Sequence, residues 1–202
     1  MCIRRNQHGI SLIELIMFIV IVSAALAGIL MVMNVTTRGS SDPLIHKQAL
    51  AIAESMLEEV ELMPLTFCDP DDPNAITATS AANCTGGAGG FNDESKSPLG
   101  PETAGSVGGA EGRYASPQFD NVSDYNGFNM TGSLVDITNS AVGPTGYTVA
   151  VTVTNNGMAA AGANAAIANA EALLINVTVT GPDLVPVVLE GIRTRYSPNS
   201  VP

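Results

Sequence analysis

The feature that most constrains this chain is an apolar run near its start, from Ile10 to Met33. Twenty of its 24 residues are Ile, Leu, Val, Met, Ala or Phe. As an α-helix rising about 1.5 Å per residue, the run is about 36 Å long, which is enough to cross a bilayer. Because Arg4 and Arg5 precede the run, the positive-inside rule predicts that residues 1–9 stay in the cytoplasm and that the rest is exported.

One carboxylate, that of Glu14, lies inside this run near its cytoplasmic edge. A carboxylate at mid-membrane costs about 2.5 to 3.5 kcal/mol, less near the interface, and usually has a partner there. An ordinary secretory signal peptide is one interpretation, since Ala25, Leu26 and Ala27 form an A-x-A cleavage site. Against it, apolar residues continue to Met33, and such a peptide has no use for Glu14.

The leader and the helix together suggest a second interpretation. A short basic leader ends in Gly9, the apolar Ile10 follows, and Glu14 is the fifth residue after that glycine. This combination resembles the type IV prepilins, although the family more often has Phe where Ile10 stands. The resemblance implies that a membrane prepilin peptidase cuts after Gly9, that Ile10 is N-methylated, and that the helix stays on the mature protein. In a helix bundle without water, the free amine of a neighbouring subunit's first residue would neutralise Glu14.

Composition limits what the exported part can be. Loss of Arg4 and Arg5 with the leader takes the formal net charge from −11 to −13, so nucleic acid is not expected as a partner. Aromatic residues make up 4% of the chain and Trp is absent, which predicts one modest core in a single small domain. His46 would be the only histidine left after cleavage, and no nucleophile motif is present. We therefore expect neither an enzyme nor a cofactor.

Two cysteines remain once Cys2 leaves with the leader. Cys68 and Cys84 lie on the predicted exported side, where disulfides persist, and we expect them to pair. Closing a loop of this size stabilises by about 3 kcal/mol in the chain-entropy model. With no His nearby, neither a zinc site nor a cysteine nucleophile is supported.

A second helical segment is expected after the apolar run. Asp42 and Pro43 suit an N-cap and a first helical residue, so the stalk over residues 34–63 should be interrupted and kinked there. Apolar residues then recur every three or four positions and should pack on a sheet. They are Leu50, Ala53, Leu57, Val60 and Met63. The acidic residues of this segment should form a solvated face. They are Glu54, Glu58, Glu59 and Glu61.

The middle of the chain contains turn formers and acids. Nine of the 28 residues from 85 to 112 are glycine, which predicts an irregular surface loop. Carboxylate and amide oxygens in the segment 69–74, and in Asp120, Asp124 and Asn126, are candidate calcium ligands. Neither set fits the twelve-residue calcium loop, and turns and caps in solvent are the simpler interpretation of both.

The last third alternates apolar and polar residues, which predicts strands over 147–153, 173–179 and 185–196 in an antiparallel meander. Residues 157–170 between the first two strands suit either a loop or a short helix. Arg193 and Arg195 would lie on an exposed face at the sheet edge, with contact to an acidic neighbour as the alternative. The expected fold is α+β and pilin-like: a leader at 1–9, a membrane helix at 10–33, a stalk at 34–63, and a globular domain at 64–202.

Further segments resemble the minor pilins of mannose-sensitive haemagglutinin pili. They are residues 48–54, 57–59, 68–71 and 193–199. The resemblance implies a minor filament subunit at the bacterial inner membrane and then in a surface pilus. Its partners would be the prepilin peptidase, the assembly platform, the major pilin and other minor pilins. A type II secretion pseudopilin, an adhesive tip module with a binding glycine-rich loop, and an unrelated anchored protein remain alternatives.

Overall fold

The computed structural model describes residues 11–156, 171–199 and 201. The predicted cleavage pair, Gly9 and Ile10, and the segment 157–170 lie outside the described residues. The chain divides into two compact units, Met1–Leu44 and Ile45–Pro202. The regular elements are helix α1 (Leu12–Leu62), short 3₁₀ turns at Ala81–Asn83 and Ser123–Tyr125, and strands β1 (Asn129–Gly132), β2 (Tyr147–Asn155), β3 (Ala172–Thr180) and β4 (Pro186–Thr194).

The first unit contains the apolar half of α1. Over Leu12–Val35, 24 residues with a mean hydropathy of 2.9, the helix is long and apolar enough to cross a membrane, and its side chains are exposed. The hydroxyl of Ser23 donates to the carbonyl of Ile19 at 2.6 Å, so this polar side chain is satisfied within the helix. A helix that is apolar on all sides requires lipid or other protein around it.

The predicted interruption at Pro43 is wrong. Helix α1 continues through Pro43 to Leu62. A proline inside a helix removes one backbone hydrogen bond and crowds the carbonyl four residues before it, at a cost of about 3 kcal/mol. The turns after Pro43 pack on the sheet and offset this cost, so the local N-cap signal does not start a new helix. The side chain of Asp42, the predicted N-cap, lies outside the described part.

The second unit is built on a four-stranded antiparallel sheet in the order β1-β2-β3-β4. Strand pairing aligns Val151 with Val177 and Val177 with Leu189. The alternation therefore gives the sheet one apolar face, and Tyr147, Val149, Val153 and Ile175 are buried there. The predicted meander and the α+β pilin-like fold, with a long N-terminal helix, are confirmed.

The helix face in the core is shifted from the predicted stripe. Ala53 and Val60 are fully buried, as expected. The other three predicted members, Leu50, Leu57 and Met63, are only partly buried and pack against the edge of the core. The sequence pattern missed Ala49 and Met56, which are buried beside the sheet.

Two predictions about charged residues are wrong. Arg195 is not an exposed edge residue: its side chain is 2% exposed and pairs with Glu171 at 3.1 Å. It also donates to the carbonyl of Thr66 and lies over the ring of Phe67. Glu59 is not fully solvated, because Arg113 holds both of its carboxylate oxygens at 2.7 Å. Both arginines reach back to parts of the chain that are distant in sequence, which no local pattern records.

The segment between α1 and β1 is irregular apart from the two 3₁₀ turns, as predicted. Cys68 and Cys84 form the predicted disulfide, with 5.3 Å between their Cα atoms. A small second core surrounds it and contains Ala75 and Ala78. The side-chain amide of Asn199 donates to the carbonyls of both alanines, at 3.1 and 2.9 Å. The end of the chain therefore holds the disulfide loop in place.

Candidate functional sites: a helix carboxylate and two groups of acids

The first candidate site is the carboxylate of Glu14, in the first turn of α1. It lies among exposed apolar side chains, including Ile13, Ile16, Met17 and Phe18. Within the described ranges, Glu14 has no hydrogen bond and no ion pair. An unpaired carboxylate on an apolar surface can accept a cation from outside the chain, such as an amine.

The second candidate site is an assembly of seven acids in the irregular segment. They form two groups, and within each group one carboxylate oxygen per residue lies within 4.8 Å of the others. We call them the four-acid group and the three-acid group. The four-acid group is Asp69, Asp71, Glu111 and Asp120; the three-acid group is Glu94, Glu102 and Asp124.

Backbone hydrogen bonds bring the four-acid group together from distant parts of the chain. The N–H of Asp69 donates to the carbonyl of Asn92 at 3.1 Å, and that of Glu111 to the carbonyl of Glu102 at 3.2 Å. The N–H of Asp71 donates to Oδ1 of Asp69 at 2.7 Å, which fixes that side chain in a tight turn. Oδ2 of Asp69 and both carboxylate oxygens of Glu111 are buried without a partner.

The three-acid group has the same character. Oδ2 of Asp124 accepts the N–H groups of Asp120 and Asn121, at 3.1 and 2.7 Å. The hydroxyl of Ser123 donates to Oε2 of Glu94. These contacts fix Asp124 and Glu94, yet Oδ1 of Asp124 and Oε1 of Glu94 remain without a partner, and so does Oε2 of Glu102.

Burial and mutual repulsion raise the pKa values in both groups. Burial is the main cause, and it raises the pKa of Asp69 and of Asp120 to about 7 and that of Glu111 to about 11. Burial also raises the pKa values of Glu94 and Asp124 well above their usual range. Neighbouring carboxylates contribute in every case. No lysine or arginine forms an ion pair with these acids among the residues described.

The predicted calcium ligands are divided by the structure. Asp120 belongs to the four-acid group and Asp124 to the three-acid group, but Asn126 belongs to neither. The amide of Asn126 donates to the carbonyl of Leu99 at 2.7 Å and accepts the N–H of Val153 at 2.9 Å, so both of its ends are occupied.

The acidic segment 69–74 is divided in a similar way. Asp69 and Asp71 are members of the four-acid group, whereas Asp72 is a turn and cap residue. Its carboxylate accepts the N–H groups of Asn74 and Thr85, at 2.8 and 2.6 Å. Sequence reasoning missed Glu94, Glu102 and Glu111, because isolated acids in a glycine-rich segment usually lie in solvent.

Comparison with known proteins gives one match. A family model described as the prokaryotic N-terminal methylation motif matches residues 4–30. This motif is typical of type IV prepilin-like proteins, and it covers residues 4–9 of the leader, then Ile10, Glu14 and most of the apolar helix. No curated protein and no solved structure shows a significant match to the chain.

Proposed function

We propose that this chain is a minor structural subunit of a type IV pilus-like filament. In this proposal the prepilin peptidase cuts after Gly9, and the new terminus, Ile10, is N-methylated. The observation that carries the proposal is the methylation motif over residues 4–30 together with an apolar helix long enough to cross a membrane. The role is structural rather than enzymatic.

The exposure of the helix supports assembly through this segment. Its large apolar side chains are mostly more than half exposed, for example Leu12 at 76% and Met31 at 73%. Such a surface is far larger than a monomer in water tolerates. The bilayer covers it before assembly, with the N-terminus in the cytoplasm and the second unit outside the inner membrane. Neighbouring helices cover it in the filament.

Glu14 supplies the register of that assembly. The chain holds no partner for this carboxylate in its described part, and cleavage after Gly9 creates a free amine in each subunit. When a subunit is inserted at the correct height, pairing of Glu14 with the amine of a neighbour neutralises both charges on an apolar surface. A subunit inserted one turn too high or too low leaves both charges unpaired.

The finer proposal is a subunit of a mannose-sensitive haemagglutinin type of pilus. Its support is the resemblance of residues 48–54, 68–71 and 193–199 to minor pilins of that system. The partners are then the major pilin, other minor pilins, the prepilin peptidase and the assembly platform. Type II secretion pseudopilins share the methylation motif. Affinity purification of the native chain distinguishes the two. A pilus subunit should co-purify with other pilus subunits, whereas a pseudopilin should co-purify with components of the secretion system.

Mass spectrometry of the mature N-terminus tests the processing step. We expect a chain that begins at Ile10 and carries one additional methyl group. A deletion of the peptidase gene should leave Met1 to Gly9 attached. A mature terminus at Gly28 would instead identify Ala25–Ala27 as a signal-peptide site and would refute the filament proposal.

Substitution of Glu14 tests the assembly step separately. Glu14→Ala should be cleaved normally but should be absent from sheared filaments, because the amine of its neighbour then lacks a counter-charge. Ser23→Ala is the matched control, since the hydroxyl of Ser23 bonds within its own helix. The control should assemble like the native chain. Normal incorporation of Glu14→Ala would remove the register role.

A further inference from the structure

We propose that the four-acid group and the three-acid group are two adjacent calcium sites. Each would hold one Ca²⁺ ion, and together the ions would fix the irregular segment on the globular unit. The inference does not depend on filament assembly, because all seven acids lie in the second unit.

The first argument is the size of the groups. Calcium binds oxygen ligands at about 2.3 to 2.6 Å, so ligands on opposite sides of an ion are about 4.6 to 5.2 Å apart. In each group the candidate oxygens lie within 4.8 Å of one another. One oxygen from every member therefore fits around a single ion of this size.

The second argument is independent of the clustering and concerns unpartnered atoms. Asp69 and Asp124 are both 0% exposed, and each has one carboxylate oxygen held by backbone N–H groups. The other carboxylate oxygen of each residue is buried without a partner. These atoms are Oδ2 of Asp69, in the four-acid group, and Oδ1 of Asp124, in the three-acid group. Buried carboxylates in native proteins are paired or bind metal. One such atom is present in each group.

The third argument identifies the ion. Hard carboxylate oxygens favour calcium, magnesium or manganese over soft-metal chemistry. Magnesium usually retains several waters and uses only one or two carboxylates, whereas calcium accepts three or four in flexible geometry. Glu94 and Glu102 also line a cavity of about 270 Å³, which provides an entry path and room for water ligands.

The connectivity shows what the ions would do. The four-acid group joins the turn after Cys68 to Glu111 and to Asp120. The three-acid group joins Glu94 and Glu102 in the glycine-rich segment to Asp124 in the second 3₁₀ turn. This segment has few strand or helix hydrogen bonds, so the ions would supply long-range links that secondary structure does not.

The test is a calcium titration of the full-length chain, purified in detergent and stripped with a chelator. Calorimetry with CaCl₂ at neutral pH should show two bound ions per chain. Near-ultraviolet circular dichroism should show a melting temperature higher by about 10 to 20 °C at a hundredfold excess over Kd, because two ions bind. The proposal would be overturned if a folded chain showed neither saturable binding nor a change in melting temperature. An equal change in melting temperature with MgCl₂ would also overturn it.

Two isosteric variants test the location. Glu111→Gln should weaken binding at the four-acid group, and Glu102→Gln at the three-acid group, each by more than about tenfold. Both carboxylate oxygens of Glu111 and Oε2 of Glu102 are buried without a partner, and the glutamine side chain keeps the size of the glutamate. Glu54→Gln, exposed on α1, is the control and should bind both ions.

The effect of Glu111→Gln on the melting temperature should also depend on whether calcium is present. In chelator, Glu111→Gln should melt no lower than the native chain, because glutamine has the size of glutamate and brings no charge to a buried acidic group. In CaCl₂ it should melt lower. Unchanged binding in both variants would overturn the assignment of the sites. If a variant fails to fold, the native chain alone decides, since equal melting in calcium and in chelator refutes the proposal.

Discussion

The two units of this molecule handle their unpaired acids in contrasting ways. In the first unit, Glu14 stands alone on an exposed helix whose neighbouring side chains are apolar. In the second unit, seven acids crowd together in an irregular segment, and several of them are buried. Elsewhere in the second unit, Glu59 is paired within the chain by Arg113.

The difference indicates where the missing positive charge comes from. An isolated carboxylate at a helix surface suits one amine, which a second copy of the chain can supply. Several carboxylates around a small space suit a divalent cation, because one amine cannot reach them all. The following predictions test this distinction, with the melting of the second unit measured from its tyrosines. All four tyrosines lie beyond residue 44.

The largest stability change should follow Arg113→Met. The side chains of Arg113 and Glu59 are 3% and 19% exposed, and two hydrogen bonds of 2.7 Å join them. Removing the arginine leaves a largely buried carboxylate with only the hydroxyl of Tyr125, so unfolding should become easier by about 3 to 5 kcal/mol. Urea unfolding measures this loss.

Glu58→Gln is the control for that loss, because Glu58 is exposed on the same helix. It should change the unfolding free energy by less than about 0.5 kcal/mol. An equally small effect of Arg113→Met would show that water satisfies Glu59, and the distinction between paired and unpaired acids in this unit would then fail.

The next effect concerns the disulfide that flanks the four-acid group. Cys84→Ser should lower stability by about 3 kcal/mol, since the bond closes a loop with a sequence separation of 16. Cys2→Ser is the matched control and should have no effect on the second unit. If Cys84→Ser costs about 3 kcal/mol in chelator but much less in calcium, the ion and the disulfide hold the same loop.

Local sequence patterns predicted the elements that depend on nearest neighbours. The apolar run of α1 is continuous and long enough to be read as a helix, and in β2, β3 and β4 burial follows the alternation of the sequence. The pattern was misleading at Pro43, where a start signal lies inside a longer helix. Strand β1 was not located, because its four residues, Asn129–Gly132, have a mostly exposed pattern without clear alternation.

The candidate sites divide along the same line. Glu14 was recognisable because the leader, the glycine and the helix are contiguous. The two acid groups were not, because Asp69 and Glu111 are far apart in sequence and meet only through the folding of the glycine-rich segment. Only the local acidic turns, with Asp120 and Asp124, gave a signal, whereas the side chain of Asn126 bonds to the backbone of Leu99 and Val153.

A pH series in chelator should give a moderate effect with a definite sign. Asp69 and Asp120 have pKa values of about 7, and Glu111 of about 11, above the values of 3.8 and 4.5 that such groups have when unburied. The folded chain therefore binds more protons than the unfolded chain through this window, and stability should fall as pH rises from about 4 through 7 and beyond. Melting temperatures between about pH 5 and pH 8 measure the slope.

Other charges facing these three acids must be considered in that series. They are the remaining members of the two groups, Asp71, Glu94, Glu102 and Asp124, together with Asp72, which acts on Asp69, and Arg195, which acts on Glu94 while paired with Glu171. Glu111→Gln should flatten the slope, and saturating calcium should remove it. A melting temperature that rises with pH in chelator would contradict the repulsion on which the contrast between the two units depends.

The smallest effect should be that of Glu14→Ala on the melting of the second unit. Glu14 belongs to the first unit and is not a member of the core around Val149 and Val177, so the change should stay within about 0.5 kcal/mol. The same variant should be lost from filaments, whereas Glu111→Gln should lower melting in calcium. If Glu14→Ala also lowers the melting of the second unit, its loss from filaments reflects misfolding. The carboxylate would then have no assembly role that is separate from the stability of the fold.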